Sequence, residues 1–124
     1  MHAFVLQNWL TLSGSSSVTS ITQGEESWLD LSPFQDVVFH VQCSERAGGG
    51  TARVLFQTAP AKDESLFKTM ALTTLVGGTT SVVPAPMFTA AVPLARYVRW
   101  IVTGPSTGWD ATFRVLVTAN APGM

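Results

Sequence analysis

The chain has 124 residues and 13.2 kDa, with 7 Lys plus Arg, 8 Asp plus Glu and a formal net charge of −1. That length is one domain, residues 1–124, large enough to bury a core without staples. Hydrophobic residues reach 46% and charged residues only 12%, which excludes a disordered chain and leaves no field to attract nucleic-acid phosphates.

In chain order, the first predicted strand is Phe4 to Leu12, within a segment 1–9 that reads as an N-terminal arm or an edge strand. A turn at Ser13-Gly14-Ser15-Ser16-Ser17 leads to short strands at Val18 to Thr22 and Ser27 to Leu31. From Asp36 to Cys43 the sequence alternates, with Val37, Phe39, Val41 and Cys43 on one face and Val38, His40 and Gln42 on the other. Only a strand sorts residues at i, i+2 and i+4 onto one side. The tip Ala47-Gly48-Gly49-Gly50 precedes a second alternating run in which Ala52, Val54 and Phe56 oppose Arg53, Leu55 and Gln57. A single helical turn fits near Lys62-Asp63-Glu64-Ser65, where acidic residues favour a helix N-terminus.

Strands at Leu66 to Leu72 and Thr79 to Val83 flank Gly77-Gly78. The stretch Val83-Pro84-Ala85-Pro86-Met87, with Pro93 soon after, belongs at an edge or a crossing, because proline donates no ladder hydrogen bond. From Arg96 to Thr103, Val98, Trp100 and Val102 oppose Tyr97, Arg99 and Ile101. After Gly104-Pro105-Ser106-Thr107-Gly108, the run Trp109 to Ala119 sets Trp109, Ala111, Phe113, Val115 and Val117 against Asp110, Thr112, Arg114, Leu116 and Thr118. Nine short strands with such loops predict an all-β fold, an antiparallel two-sheet sandwich with jelly-roll connections.

Candidate chemistry is sparse. Cys43 is the only cysteine, so no disulfide forms within the chain, and no run of 18 apolar residues spans a membrane. The N-terminus lacks the basic region and cleavage site of a signal peptide. His40 and Cys43 stand three residues apart on a strand and point to opposite faces, so they form no nucleophile–base pair. His2 and His40, without clustered carboxylates, make no metal site, and no cofactor motif occurs. The acidic pairs Glu25-Glu26 and Asp63-Glu64 fall in loops, where such pairs are solvated. No catalytic or metal-binding residue is assigned, and the chain reads as no enzyme.

Among aromatic residues, Trp100 and Trp109 alternate in phase with the core, whereas Trp9 and Trp28 are free to act as surface anchors. Arg99 and Arg114 alternate out of phase and are expected to project from one sheet face, ready for a partner's carboxylate. A surface so poor in charge favours association. The residues expected to make contacts are Phe4, Trp9, Met87 and Phe88, large apolar side chains outside the cleanest core pattern. Removing residues 1–9 is then expected to weaken attachment and leave the sandwich folded.

Two segments carry a resemblance. Leu94-Ala95-Arg96-Tyr97-Val98-Arg99-Trp100, and Trp28-Leu29-Asp30-Leu31 followed by Val37-Val38-Phe39, resemble strands of discoidin-like jelly-roll domains. That likeness implies a sandwich with sugar- or lipid-headgroup-binding loops at one end. As a whole the chain is similar to small virion proteins of tailed bacteriophages, the head decoration or cement type: β-rich, weakly charged, with Thr/Ser/Gly/Ala-rich loops and an apolar N-terminus. This second resemblance implies a structural protein of the virion, assembled in the host cytoplasm and partnered by the major capsid protein or other virion subunits. It also implies self-association, a trimer above all, with no nucleic acid and no membrane as partner. The alternatives are a carbohydrate-binding or adhesion module and a tail or neck component.

Overall fold

A computed structural model describes residues 2–34, 36–48, 50–85 and 94–120, and the strand assignments below refer to them. The alternating runs form nine strands: β1 (His2–Gly14), β2 (Ser20–Thr22), β3 (Leu29–Asp30), β4 (Asp36–Gly48), β5 (Arg53–Ala59), β6 (Lys68–Thr74), β7 (Thr79–Ala85), β8 (Tyr97–Thr103) and β9 (Trp109–Asn120). One sheet has the order β1-β9-β4-β7 and the other β2-β8-β5-β6, with β3 pairing beside β2 on β8. All pairings are antiparallel, and the first strand lies against the last. Because β4 pairs with β7, β5 with β6, and β2 and β3 with β8, the chain is a jelly roll, wound as a long hairpin folded over itself.

The core is the set of inward alternating residues. Val37, Phe39, Val41 and Cys43 of β4 and Phe113, Val115 and Val117 of β9 meet Val54 and Phe56 of β5 and Val98, Trp100 and Val102 of β8. Between the sheets Phe39 and Phe56 stack with centroids 3.9 Å apart and planes 3° from parallel. Trp100 meets Phe113 edge-on at 5.4 Å. Such aromatic pairs add about 0.5–1.5 kcal/mol beyond their area burial.

Several local expectations are modified. Ahead of β3, residues Glu25–Ser27 form a 3₁₀ turn, and the strand keeps only Leu29–Asp30. The helical turn is present as 3₁₀, Glu64–Leu66, capped where the Asp63 carboxylate accepts from the Ser65 N–H at 3.0 Å. Pro84 falls in β7, an edge strand of its sheet, the position open to a residue without an N–H.

One buried polar residue joins the two sheets at an edge. Gln23 donates from Nε2 to the Leu6 carbonyl at 2.8 Å and the Ser27 carbonyl at 3.1 Å, and its Oε1 accepts from the Trp100 N–H at 3.3 Å. Its own carbonyl accepts from the Trp28 indole at 3.0 Å. Nearby, the Trp100 indole donates across the sandwich to Gln7 Oε1 at 3.2 Å. Buried amides of this kind are tolerated because each polar atom is used.

Candidate functional site

The outer face of the β1-β9-β4-β7 sheet carries Val5, Trp9 and Val82, three of the seven large apolar side chains exposed among the described residues. Register places Val5 beside Leu116, Leu116 beside His40, and His40 beside Val82, so one row crosses all four strands. Val5 is 55% and Val82 58% exposed. The next row toward one end holds Ala3, Thr118 and Val38, and the His40 ring lies 3.3 Å from the Thr118 hydroxyl. A shallow cavity of about 370 Å³ opens here between β1, β9 and β4.

On the other side of the row stands Trp9, 47% exposed, with the Arg114 guanidinium 5.1 Å from its ring centroid. Register shifts flank Gln7 in β1, and the β-bulge geometry lets Gln7 reach the core side while Trp9 remains outside. Arg114 is further held by a hydrogen bond from its Nε to Gln42 Oε1. The centre of the face therefore carries one permanent cation, already covered, and its carboxylates Asp36, Glu45 and Asp110 lie toward the strand ends. An apolar centre with a polar rim is the anatomy of a protein interface.

The expected contact residues separate accordingly. Trp9 is on this face. Phe4 is only half exposed and packs on the core side, edge-on to Phe34 at 5.4 Å. Met87 and Phe88 lie outside the described residues. The expectation that residues 1–9 can be shed as an arm also changes. Residues 2–9 belong to β1, and Leu6 is buried in the core.

Arg99 and Arg114 do not share a face: consecutive strands β8 and β9 belong to opposite sheets. Arg99, only 2% exposed, is enclosed by the protein's own groups. Its guanidinium lies 5.1 Å from the Trp28 ring centroid and 3.9 Å from that of Phe67, and these two rings meet edge-on. Nε and Nη2 donate to Gln57 Oε1 at 3.0 and 2.9 Å, and Nη2 and Nη1 grip the Glu64 carboxylate. The planar fork thus serves two acceptors while stacking on rings, which a lysine cannot do. Glu64, read as a solvated loop acid, is its counter-ion. Trp28 is correspondingly part of this cluster rather than a free anchor.

The Glu64 carboxyl is held below its ordinary value chiefly by the hydrogen bond from Arg99, and that of Asp30 by Arg96, with which it pairs at 3.1 Å. Folded values below unfolded ones mean stability that is present above about pH 4 and lost as pH falls through the folded values. The melting temperature is expected to drop on acidification below about pH 4, and Glu64→Gln to flatten that drop. Parallel profiles for the two proteins would show that the pair contributes nothing.

Among the described residues no three His, Cys, Asp or Glu side chains converge to hold a metal ion. Cys43 is buried, its thiol pushed up by that burial, and its Sγ donates to the Glu45 carbonyl at 3.4 Å. His40 faces outward, away from it. No helix in the described residues is long and apolar enough to cross a membrane.

No protein-family model matches the chain, and no curated protein matches it. Solved structures do share its architecture. A chain from the infectious bursal disease virus Gx strain is similar at TM-score 0.52 and 11% identity, covering 98% of this chain and 33% of that one. VP2 of the subviral particle of that virus is similar at TM-score 0.51 and 12% identity, covering 98% and 34%. This chain thus spans about a third of the viral chains, and what is common is the sandwich fold. A protein from a study of Bacillus endospore appendages, a family of disulfide-linked pili, has TM-score 0.48 and 8% identity over 94% of this chain and 88% of that one.

Proposed function

We propose that this chain is a non-enzymatic structural protein of a virus particle, a capsid decoration protein of the tailed-phage type, bound to other virion subunits without a cofactor. The observation that carries this reading is the outer sheet face, where Val5, Leu116, Val82 and Trp9 are gathered with one covered cation and no carboxylate at the centre. A surface of this kind gains free energy by being covered, at roughly 25 cal/mol per Å² of apolar area. The sandwich fold common to this chain and the two viral chains is compatible with that role.

The glycan-binding alternative needs exposed aromatic rings at a loop end. Trp100 and Trp109 are in the core, Trp28 packs on Phe67 and Arg99, and Trp9 stands on a sheet face beside Arg114. That distribution favours a protein partner.

Immunogold electron microscopy tests the proposal, using antibody against the purified chain on particles from lysates that contain it. Gold on particle heads is the expected result. Gold on tails moves the protein to the neck or tail, and gold absent from every particle overturns the reading.

A further inference from the structure

We infer that the outer face of the β1-β9-β4-β7 sheet pairs with the same face of a second copy of this chain, Trp9 of each copy entering the hollow beside Val5, His40 and Leu116 of the other. The inference rests on the reading of that face as a subunit interface and names a second copy as its occupant, so that the paired protein meets the other virion subunits through surfaces outside this face.

Area is the first argument. The four strands have 13, 12, 13 and 7 residues. At about 3.3 Å per residue and 4.8 Å between strands they project roughly 700 Å². The accessible area of a corrugated face exceeds its projection, so the face approaches the ~800 Å² per partner of a standard stable interface.

Shape is the second. A two-fold interface must be complementary to itself, so a projecting group needs a recess elsewhere on the same patch. Trp9 projects, and the cavity of about 370 Å³ lies along the same strand beside Val5. Four residues separate Trp9 from Val5, roughly 13 Å along β1. A two-fold axis midway between them puts each indole over the other copy's hollow.

Charge is the third. Arg114 is covered by its own copy's Trp9 and bonded to Gln42, so opposing copies bring no bare like charges together at the centre. Trp and Arg are also among the residue types enriched where interfaces concentrate their binding energy. Closed two-fold pairing predicts two chains, in place of the trimer that the virion-protein resemblance implies.

The test is mass in solution by light scattering across a concentration series. Wild type is expected at twice 13.2 kDa. Trp9→Ala and Val82→Arg, both at exposed positions, are expected to weaken pairing at least about 10-fold while circular dichroism and melting temperature stay near wild type. Leu72→Arg, exposed on the opposite sheet, is expected to leave the mass unchanged. A single-chain wild type at ~100 µM, well above the micromolar dissociation constants of weak specific pairs, overturns the pairing. So does a three-chain species, or a two-chain species indifferent to both face variants. A chain that stays single yet decorates particles sinks the pairing alone, whereas a stable pair absent from every particle sinks the virion reading and leaves the pairing standing.

Discussion

Deleting residues 1–9 is expected to unfold the protein. The deletion removes the half of β1 that pairs His2 to Gln7 with Ala119 to Val115 of β9. It also takes Leu6 from the core, and truncating a buried leucine even to alanine costs about 2–5 kcal/mol. Gln23 loses the Leu6 carbonyl, and the Trp100 indole loses its acceptor on Gln7. Each buried polar group left without a partner costs about 1–3 kcal/mol. Against a total stability of about 5–15 kcal/mol, these losses consume most of what holds a domain together. The truncated chain also exposes Val115 to Ala119 of β9 as a new edge that invites aggregation. Urea titration followed by near-ultraviolet circular dichroism measures the outcome. Leu6→Ala in the full chain provides a milder version, expected to lower the unfolding free energy by about 2–5 kcal/mol. A truncated chain that unfolds cooperatively near the wild-type midpoint would mean that β1 is dispensable.

The segment 1–9 also illustrates what the sequence makes legible. Its apolar residues are plain, but their arrangement is obscured by the register shifts between Val5 and Leu10, which break the period-two pattern on which strand reading depends. Where alternation runs clean, over residues 36–43 of β4 and in β5, β8 and β9, every residue read as inward is buried, and Arg99 of β8 is buried in addition. Alternation says which side of a strand is wet, not which sheet the strand joins. Arg99 and Arg114 therefore look equivalent in sequence, yet one is enclosed by Trp28, Phe67 and Glu64 while the other is half-buried beside Trp9 on the outer face of the opposite sheet.

The enclosure of Arg99 depends on a loop 35 residues away, for which no local pattern exists. Gln23 is similar: a glutamine between a strand and a Gly carries no mark of burial, and its bonds to Leu6 and Trp100 arise only when the edges of two sheets close. Trp9 is identifiable as an exposed side chain because it stands outside every clean run. Its neighbours on the face, Leu116, His40 and Val82, are brought to it by strand order alone.

Gly104→Ala is expected to be among the most damaging single methyl additions to this chain, with Gly14→Ala close to it. The reason is Trp109, whose indole is buried where the backbones of Gly14 and Gly104 approach it. A Cβ on Gly14 would lie 2.6 Å from Trp109 Cζ2 and nearer still to Nε1. On Gly104 it would lie 2.9 Å from Cδ1 and nearer to Nε1 and Cε2. Neither glycine has a positive φ, so the penalty is steric rather than conformational. A rigid bicyclic ring cannot yield as a flexible side chain would, and overpacking of this kind costs about 1–3 kcal/mol, occasionally more. The Trp109 Nε1–H is buried with no acceptor among the described residues, so packing alone holds the ring in place there. Displacing the ring would also strain the Gly104 N–H bond to the Thr19 carbonyl, 2.8 Å long. A double-mutant cycle isolates the cause. Trp109→Leu alone opens a cavity and destabilises, but in that background Gly104→Ala is expected to cost less than about 0.5 kcal/mol, because the methyl then has room. An undiminished cost in the leucine background would locate the strain in the Gly104 backbone or its turn, and the indole would no longer explain why glycine stands at the end of β1 and directly after β8.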